Sequence, residues 1–110
     1  MPSKAALEAA YQASLKPKID ARLPGCFIMK NDANLVQGIP DLLILYYGKW
    51  AMLEVKRSAK EPHQPNQDYY VDLFNTWAFA AFIYPENEEE VLDALQYALQ
   101  DRRRRVARVS

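Results

Sequence analysis

The chain has 110 residues, half of them hydrophobic, and only three glycines. This length and composition are typical of one folded domain, 1–110, and exclude a fibrous or disordered protein. Fourteen basic residues balance fourteen acidic residues, so net charge alone indicates neither a nucleic-acid nor a membrane partner. The one cysteine, Cys26, excludes an internal disulfide framework and a thiolate zinc site, which favours a reducing compartment.

No secretion signal is visible, and no apolar run approaches the roughly 20 residues that span a bilayer. We therefore expect a soluble, cytoplasmic protein with no membrane partner. Bases concentrate between Lys49 and Lys60 and in the run 101–105, whereas acids concentrate in 85–90. The charge is balanced overall but unevenly distributed along the chain.

The first half of the chain predicts one helix and one strand. Residues 3–16 are alanine-rich and begin at a capping Ser3, which is typical of a helix. Pro17 is expected to end or kink this helix, with a short turn after it. The apolar run 26–29 predicts the first strand, and 31–38 has the composition of a turn. Apolar residues recur at helical spacing in the first segment at Leu7, Tyr11 and Leu15.

The second half predicts three more strands and two helices. Two β-rich runs, 41–47 and 50–56, predict a hairpin, and the polar segment 57–65 predicts a loop. Helical spacing predicts a second helix over about 66–78, and the short apolar run 78–84 favours a buried strand. The last helix has an acidic first turn, an arginine-rich end and the apolar stripe Val91, Leu92, Leu95, Ala98 and Leu99. The predicted order is α-β-β-β-α-β-α.

The hairpin carries charges that strand geometry brings together. Side chains alternate across a strand, so Glu54 and Lys56 share one face. If Gly48 and Lys49 form the turn, Asp41 lies opposite Lys56 and diagonal to Glu54. Diagonal positions are roughly 7–8 Å apart at the backbone, which is within reach of a shared ion.

Two interpretations fit these charges. In the first, Asp41 and Lys56 form a surface pair that contributes well below about 1 kcal/mol. In the second, Asp41 and Glu54 hold a divalent cation that relieves their repulsion, and Lys56 contacts the attacking water or a phosphate oxygen. The apolar neighbours on this face favour the second interpretation; they are Leu43, Leu45, Trp50 and Met52.

The segments GIPD (38–41) and EVK (54–56) resemble the motif of the PD-(D/E)XK nuclease superfamily. GIPD is similar to the GxPD of its virus-type replication-repair nuclease branch, VRR-NUC. The resemblance extends from the first helix to about residue 95. It implies an α/β, restriction-endonuclease-like core, α-β-β-β-α-β with a C-terminal helix, in which helices flank a mixed central sheet.

The resemblance also implies roles for residues of the hairpin and the first helix. Asp41 and Glu54 would bind Mg²⁺ or Mn²⁺, with the backbone carbonyl of Val55 completing part of the coordination. Lys56 would assist the nucleophilic water. The conserved glutamate of the family's first helix matches Glu8, which is expected at the metal, although Glu8 could also remain a solvated surface acid.

The family's helix-starting S-P-x-Q motif matches QPNQ, so Gln67 is expected in the site. Its spacing to Tyr70, Val71 and Phe74 independently places Gln67 on the helix face that packs on the sheet. A buried amide there serves either the site or a loop backbone. Because Gln64 replaces the usual serine, Asn66 or Gln64 is expected to cap the helix instead.

Several basic residues are weaker candidates for DNA binding. Arg57 and Lys60 adjoin the proposed metal site and could contact phosphates, as could Lys30 at the end of the first strand. His63 could contact substrate or simply be solvated. The arginine run 102–105 could complement the helix dipole or bind DNA.

The resemblance implies a metal-dependent endodeoxyribonuclease that hydrolyses phosphodiester bonds. Stand-alone, phage-like members of this branch act as homodimers on branched DNA, so a Holliday-junction-resolving enzyme with DNA as its partner is expected. One alternative is a nuclease of the same chemistry with a nicking, flap or homing target. The other is a non-catalytic nucleic-acid-binding module.

Overall fold

The structure, a computed structural model, describes residues 1–100. It contains three helices and four strands, in the predicted order. Their bounds are α1 Lys4–Arg22, β1 Phe27–Lys30, β2 Leu42–Tyr46, β3 Lys49–Val55, α2 Gln67–Trp77, β4 Phe79–Ile83 and α3 Glu88–Leu99. A 3₁₀ turn over Pro85–Asn87 leads into α3. The arginine run 102–105 and the rest of the basic tail, 102–110, lie outside the described residues.

The four strands form one mixed sheet in the order β1-β2-β3-β4. The pairs β1–β2 and β2–β3 are antiparallel, whereas β3 and β4 are parallel. A parallel pair needs a long crossover between its strands, and α2 lies in that connection. The predicted hairpin is therefore the centre of the sheet, and the predicted mixed α/β fold is confirmed. No helix within residues 1–100 is long and apolar enough to cross a membrane.

Helix α1 begins as predicted but ends later. The Ala6 N–H donates to Ser3 Oγ at 3.1 Å, so Ser3 caps the helix. Pro17 does not end it, because the helix continues to Arg22. A proline inside a helix removes a hydrogen bond at a cost of about 3 kcal/mol. The segment after Pro17 supplies Ile19 and Leu23, both fully buried, and burial of such side chains offsets a loss of that size.

Hydrophobic side chains pack on both faces of the sheet. On one face, α1 and α3 cover alternate residues of the central strands, including Leu42, Ile44 and Leu53. On the other face, α2 covers the residues between them, where Met52 packs with Val71. Strand alternation therefore assigns odd and even positions of β3 to different cores. Glu54 has the parity of Met52 and faces α2.

The turn of the hairpin differs from the predicted one by one residue. Tyr46 pairs with Lys49, so the turn consists of Tyr47 and Gly48 and not of Gly48 and Lys49. Both turn residues have positive φ, +47° and +83°, as a two-residue type I′ turn requires. The prediction was wrong because it kept Tyr47, a residue that rarely adopts positive φ, in the strand.

The new register moves Asp41 closer to Glu54 without changing its face. Leu42 pairs with Leu53 and Leu43 with Met52, so the predicted pairing of Asp41 with Lys56 is wrong. The observed register differs from the predicted one by two residues. Because side chains alternate along a strand, a shift of two residues leaves every side chain on the same face of the sheet. Continuing the register by one position places Asp41 directly beside Glu54, not diagonal to it.

Gly38 positions the loop before β2 against the start of α2. Its φ is +89°, and a Cβ there would lie 2.6 Å from the Asn66 Cβ and 2.7 Å from the Pro65 carbonyl oxygen. Gly25 has nearly the same φ, +87°, but no heavy atom within 4 Å of its Cβ position. Both glycines therefore have a backbone conformation that other residues adopt at a cost, but only at Gly38 would a side chain also clash with neighbouring atoms.

Gly38→Ala is expected to lower the melting temperature by more than about 8 °C, since the clash adds to a positive-φ penalty of about 1 kcal/mol. Gly25→Ala carries only that penalty, so we expect a fall of about 4–8 °C. Thermal unfolding followed by circular dichroism gives both values. Equal falls in the two variants would show that the contact of Gly38 with the Pro65–Asn66 backbone is unimportant.

Candidate functional site

The site lies at the sheet edge where β2 begins and β3 ends. Asp41 precedes β2, and its Oδ2 accepts the Val55 N–H at 2.8 Å. Its backbone carbonyl accepts the Asn31 N–H, also at 2.8 Å. These contacts hold the Asp41 carboxyl at the end of β3, beside the Glu54 side chain, whose pKa it raises. The structure therefore brings together the two carboxyl groups that the hairpin pattern predicted.

Glu54 is an unusually placed carboxyl group. It is only 3% exposed, and burial together with the neighbouring Asp41 raises its pKa from the usual 4.5 to about 9. Lys56 opposes this rise and Glu8 adds to it. Within residues 1–100, Glu54 Oε1 is buried with no hydrogen-bond partner. A buried acceptor of this kind has lost its hydration without replacement and can be satisfied by a cation.

Gln67 connects α2 to the carboxyl groups. Its Nε2 donates to Glu54 Oε2 at 3.2 Å, and its Oε1 accepts the Gln64 N–H at 2.7 Å. The backbone donor fixes the orientation of the amide, so that its NH₂ group points at Glu54. Gln67 lies on the predicted helix face, and its amide contacts both the Glu54 carboxyl and the loop backbone.

The predicted capping of α2 is wrong. Asn66 is the N-cap residue, but its φ is +72° and its side chain makes no capping bond within the described chain. Gln64 does not cap with its side chain; its backbone N–H donates to Gln67 instead. The left-handed conformation of Asn66 accompanies the close approach of Gly38, which explains why a side-chain cap is replaced by this tight loop.

Glu8 faces the site from α1 and pairs with a second acid, Glu61. Burial and a hydrogen bond with Glu61 raise the pKa of Glu8 to about 7, and Asp41 adds to the effect. Burial acts to raise the pKa of Glu61 as well, but the Glu8 hydrogen bond and the Arg57 N–H hold it below its usual value. Glu8 and Glu61 therefore titrate as a pair, with the pKa of Glu8 raised and that of Glu61 lowered.

Lys56 is the buried cation of the site. It is 4% exposed, and its Nζ donates to the Pro62 carbonyl oxygen at 3.2 Å. Its charge lowers the pKa of Glu54, Glu8 and Glu61. Lys56 therefore balances a group of carboxyls and does not pair with Asp41 as a cross-strand neighbour.

Three of the weaker DNA-binding candidates lie on the loop after β3, and the fourth, Lys30, lies apart from them. Arg57 forms an ion pair with Glu61, Nε to Oε1 at 3.4 Å, and Lys60 is exposed on the same loop. His63 donates to or accepts from Asp68 at 2.8 Å, and its ring stacks on Phe82 with centroids 4.0 Å apart. Lys30 lies at the end of β1 in a separate pocket beside α1.

A cavity of about 330 Å³ opens between α1 and the end of β3. Its walls combine acidic, basic and amide side chains; they include Glu8, Lys56, Arg57, Glu61 and Gln67. Polar groups that converge in a cleft beside residues of shifted pKa are typical of a functional site.

The donor set fits a hard divalent cation held by two carboxyl groups. The Asp41 carboxyl is close enough to raise the pKa of Glu54, and Glu54 Oε1 is an acceptor without a partner among the described residues. No group of three or more His, Cys, Asp or Glu side chains in residues 1–100 is arranged to hold a metal. Mg²⁺ commonly uses one or two carboxylates and otherwise water and phosphate oxygens, so two suffice.

One solved structure, described as "VRR_NUC domain", is similar to this chain in overall fold. It aligns with a TM-score of 0.60 and 24% identity, covering 81% of this chain and 92% of that one. The chain has the fold of a VRR_NUC domain. No protein-family model matches the sequence, and no curated protein matches it significantly.

Sequence reasoning missed one residue in this VRR_NUC fold. Glu61 lies in the cavity, contacts Glu8 and Arg57, and has a side chain that is 14% exposed. It occupies an irregular loop, where no periodicity marks a buried position. The only signal in the sequence was its i+4 spacing from Arg57, which in a loop carries little weight.

Proposed function

We propose that this protein is a divalent-metal-dependent nuclease that hydrolyses phosphodiester bonds. The observation that carries the proposal is the buried Glu54 Oε1, which has no partner in residues 1–100 and stands beside the Asp41 carboxyl group. Two adjacent carboxyls in a buried site repel when ionised unless a cation lies between them. The VRR_NUC fold supports the same chemistry.

Asp41, Glu54 and the backbone carbonyl of Val55 would hold Mg²⁺ or Mn²⁺, and the charge of Glu8 would act on the same site from α1. A bound divalent metal supplies an acidified water and stabilises negative charge on phosphate. Gln67 holds the Glu54 carboxyl from α2, and the Asp41 carboxyl is anchored by the Val55 N–H. Such anchoring lets the carboxylates act without rearrangement.

Lys56 would orient the attacking water and stabilise the charge that develops on the phosphate. Its ammonium group is already fixed by the Pro62 carbonyl and surrounded by carboxyl groups, whose pKa values it lowers. A buried, positioned cation is effective because a desolvated site strengthens its interaction with developing charge.

DNA is the substrate that we propose, and branched DNA such as a four-way junction is the preferred form. Arg57, Lys60 and His63 follow β3 directly and would contact phosphates beside the scissile bond. Lys30 would contact DNA further along the sheet edge. The branched substrate rests on the resemblance of GIPD and EVK to the stand-alone, phage-like VRR-NUC enzymes.

The active form that we propose is a homodimer. Two sites related by a two-fold axis would suit paired cuts on a symmetric junction. Phe27, Met29 and Leu45 are 60%, 43% and 39% exposed, and the pairing of Phe27 with Leu45 and of Met29 with Leu43 places them on one sheet face. Contiguous exposed apolar side chains are typical of association surfaces.

Cleavage of four end-labelled DNAs with Mn²⁺ tests this function. The substrates are a linear duplex, a flapped duplex, a single strand and a four-way junction. We expect the junction to be cut fastest, with no cleavage in EDTA and none by Asp41→Asn purified in the same way. Failure to cut any substrate would refute the nuclease proposal, whereas cleavage of flaps alone would remove only the junction preference.

A further inference from the structure

The loop after β3 folds back over the site. Lys56 ends the β3 side of the cavity, and its Nζ donates to the carbonyl of Pro62, six residues later. The loop between them therefore supplies a fixed acceptor for the ammonium group. Its path determines where Lys56 Nζ lies.

Glu61 fixes that path by two contacts with one residue. Its Oε2 accepts the Arg57 N–H at 3.2 Å, and its Oε1 lies 3.4 Å from Arg57 Nε. The Arg57 Nε is buried and makes no hydrogen bond within residues 1–100. The ion pair with Glu61 therefore offsets the cost of burying its charge. The Glu61 carboxylate thereby joins the two ends of the loop, since Arg57 follows Lys56 and Glu61 precedes Pro62.

Glu61 also connects this loop to α1. Its carboxylate interacts with that of Glu8 on α1, and Glu8, Lys56 and Glu61 all line the same cavity. The side chain is 14% exposed although it carries charge. Charged groups are rarely buried to this degree unless their partners are specific.

We propose that Glu61 is a positioning residue of the active site: through Arg57 it holds the 57–62 loop closed, and the loop in turn holds Lys56 Nζ for catalysis. The catalytic part of this inference rests on the proposed nuclease function, whereas the structural part does not. Displacement of a catalytic group by about 1 Å costs on the order of 100-fold in rate. Loss of Glu61 is therefore expected to lower kcat and to leave KM nearly unchanged.

Lysine labelling tests the structural part without any substrate. Lys56 is buried in the native protein, so it should react slowly with an amine-reactive ester, whereas the exposed Lys60 provides an internal reference on the same loop. In Glu61→Ala we expect the rate of Lys56 modification, measured by peptide mass spectrometry, to rise about 10-fold or more relative to Lys60. Glu90→Gln, an exposed acid on α3, is the control and should change nothing.

Cleavage kinetics test the catalytic part. Glu61→Ala should lower kcat about 10- to 100-fold with KM within about three-fold, and Glu61→Gln should restore most of the loss because its amide oxygen still accepts the Arg57 N–H. Unchanged Lys56 labelling in Glu61→Ala would overturn the inference. Increased labelling in a protein that cuts no DNA, even in its native form, would support the positioning role and refute the nuclease function instead.

Discussion

Lys56→Met is expected to lower DNA cleavage by about 10²- to 10⁴-fold while Mn²⁺ binding persists. Methionine retains most of the buried volume of a side chain that is 4% exposed, so the change removes the charge and the donor with little loss of packing. The ammonium group no longer orients water or stabilises charge on phosphate. The carboxyl groups that would hold the metal are untouched.

The measurement for Lys56→Met is single-turnover cleavage of the preferred DNA, combined with the Mn²⁺-induced change in melting temperature. Lys16→Met is the matched control, since Lys16 is an exposed lysine on α1 with no proposed contact to DNA, and its loss should lower kcat less than about three-fold. Circular dichroism confirms that each variant is folded. A Lys56→Met protein that cuts as fast as the native one would refute the role of Lys56.

Glu54→Gln is expected to stabilise the metal-free protein increasingly as pH rises. The folded state raises the pKa of Glu54 from 4.5 to about 9, so folding favours the protonated form. Protonated Glu54 contributes to the free energy of unfolding of the native protein below about pH 4.5, and this contribution is lost as pH rises towards 9. Each pH unit corresponds to about 1.4 kcal/mol. Glutamine cannot ionise, and its amide still offers Gln67 an acceptor.

At pH 8.5 without metal, we expect Glu54→Gln to melt at least about 5 °C above the native protein, with the difference shrinking to near zero at pH 5. Glu90→Gln should show no such pH dependence, because Glu90 is exposed. If the melting temperature of Glu54→Gln minus that of the native protein is negative, or constant between pH 5 and 8.5, ionisation of Glu54 does not destabilise the folded protein.

The sequence predicted which side chains come together at the end of β3 because strand geometry is periodic. Alternation placed Asp41 and Glu54 on one face whatever the turn, and the one-residue error at Tyr47 preserved that face since it changed the register by two. Helical spacing likewise predicted that Gln67 faces the sheet. Local pattern was enough wherever regular backbone geometry determines the direction of a side chain.

What the sequence could not predict depends on packing between distant segments. Pro17 predicted the end of the first helix, but α1 continues past it because Ile19 and Leu23 are buried in the core. Lys18 pairs with Glu88 across α1 and α3 at 2.8 Å, a contact that neither helix pattern contains. The contacts of Glu61 could not be predicted either, because side chains in an irregular loop do not point in directions that follow from their spacing in the sequence.

The binding of Mn²⁺ to the native protein and to Glu54→Gln, measured by isothermal titration calorimetry at pH 7.5, tests the central claim most directly. With its pKa near 9, Glu54 carries a proton in the metal-free protein at this pH. Metal binding should therefore release about one proton, seen as a heat that changes with the ionisation enthalpy of the buffer. We predict saturable binding with proton release in the native protein and no measurable binding in Glu54→Gln. Equal Mn²⁺ affinity in the two proteins would contradict a metal site formed by Asp41 and Glu54.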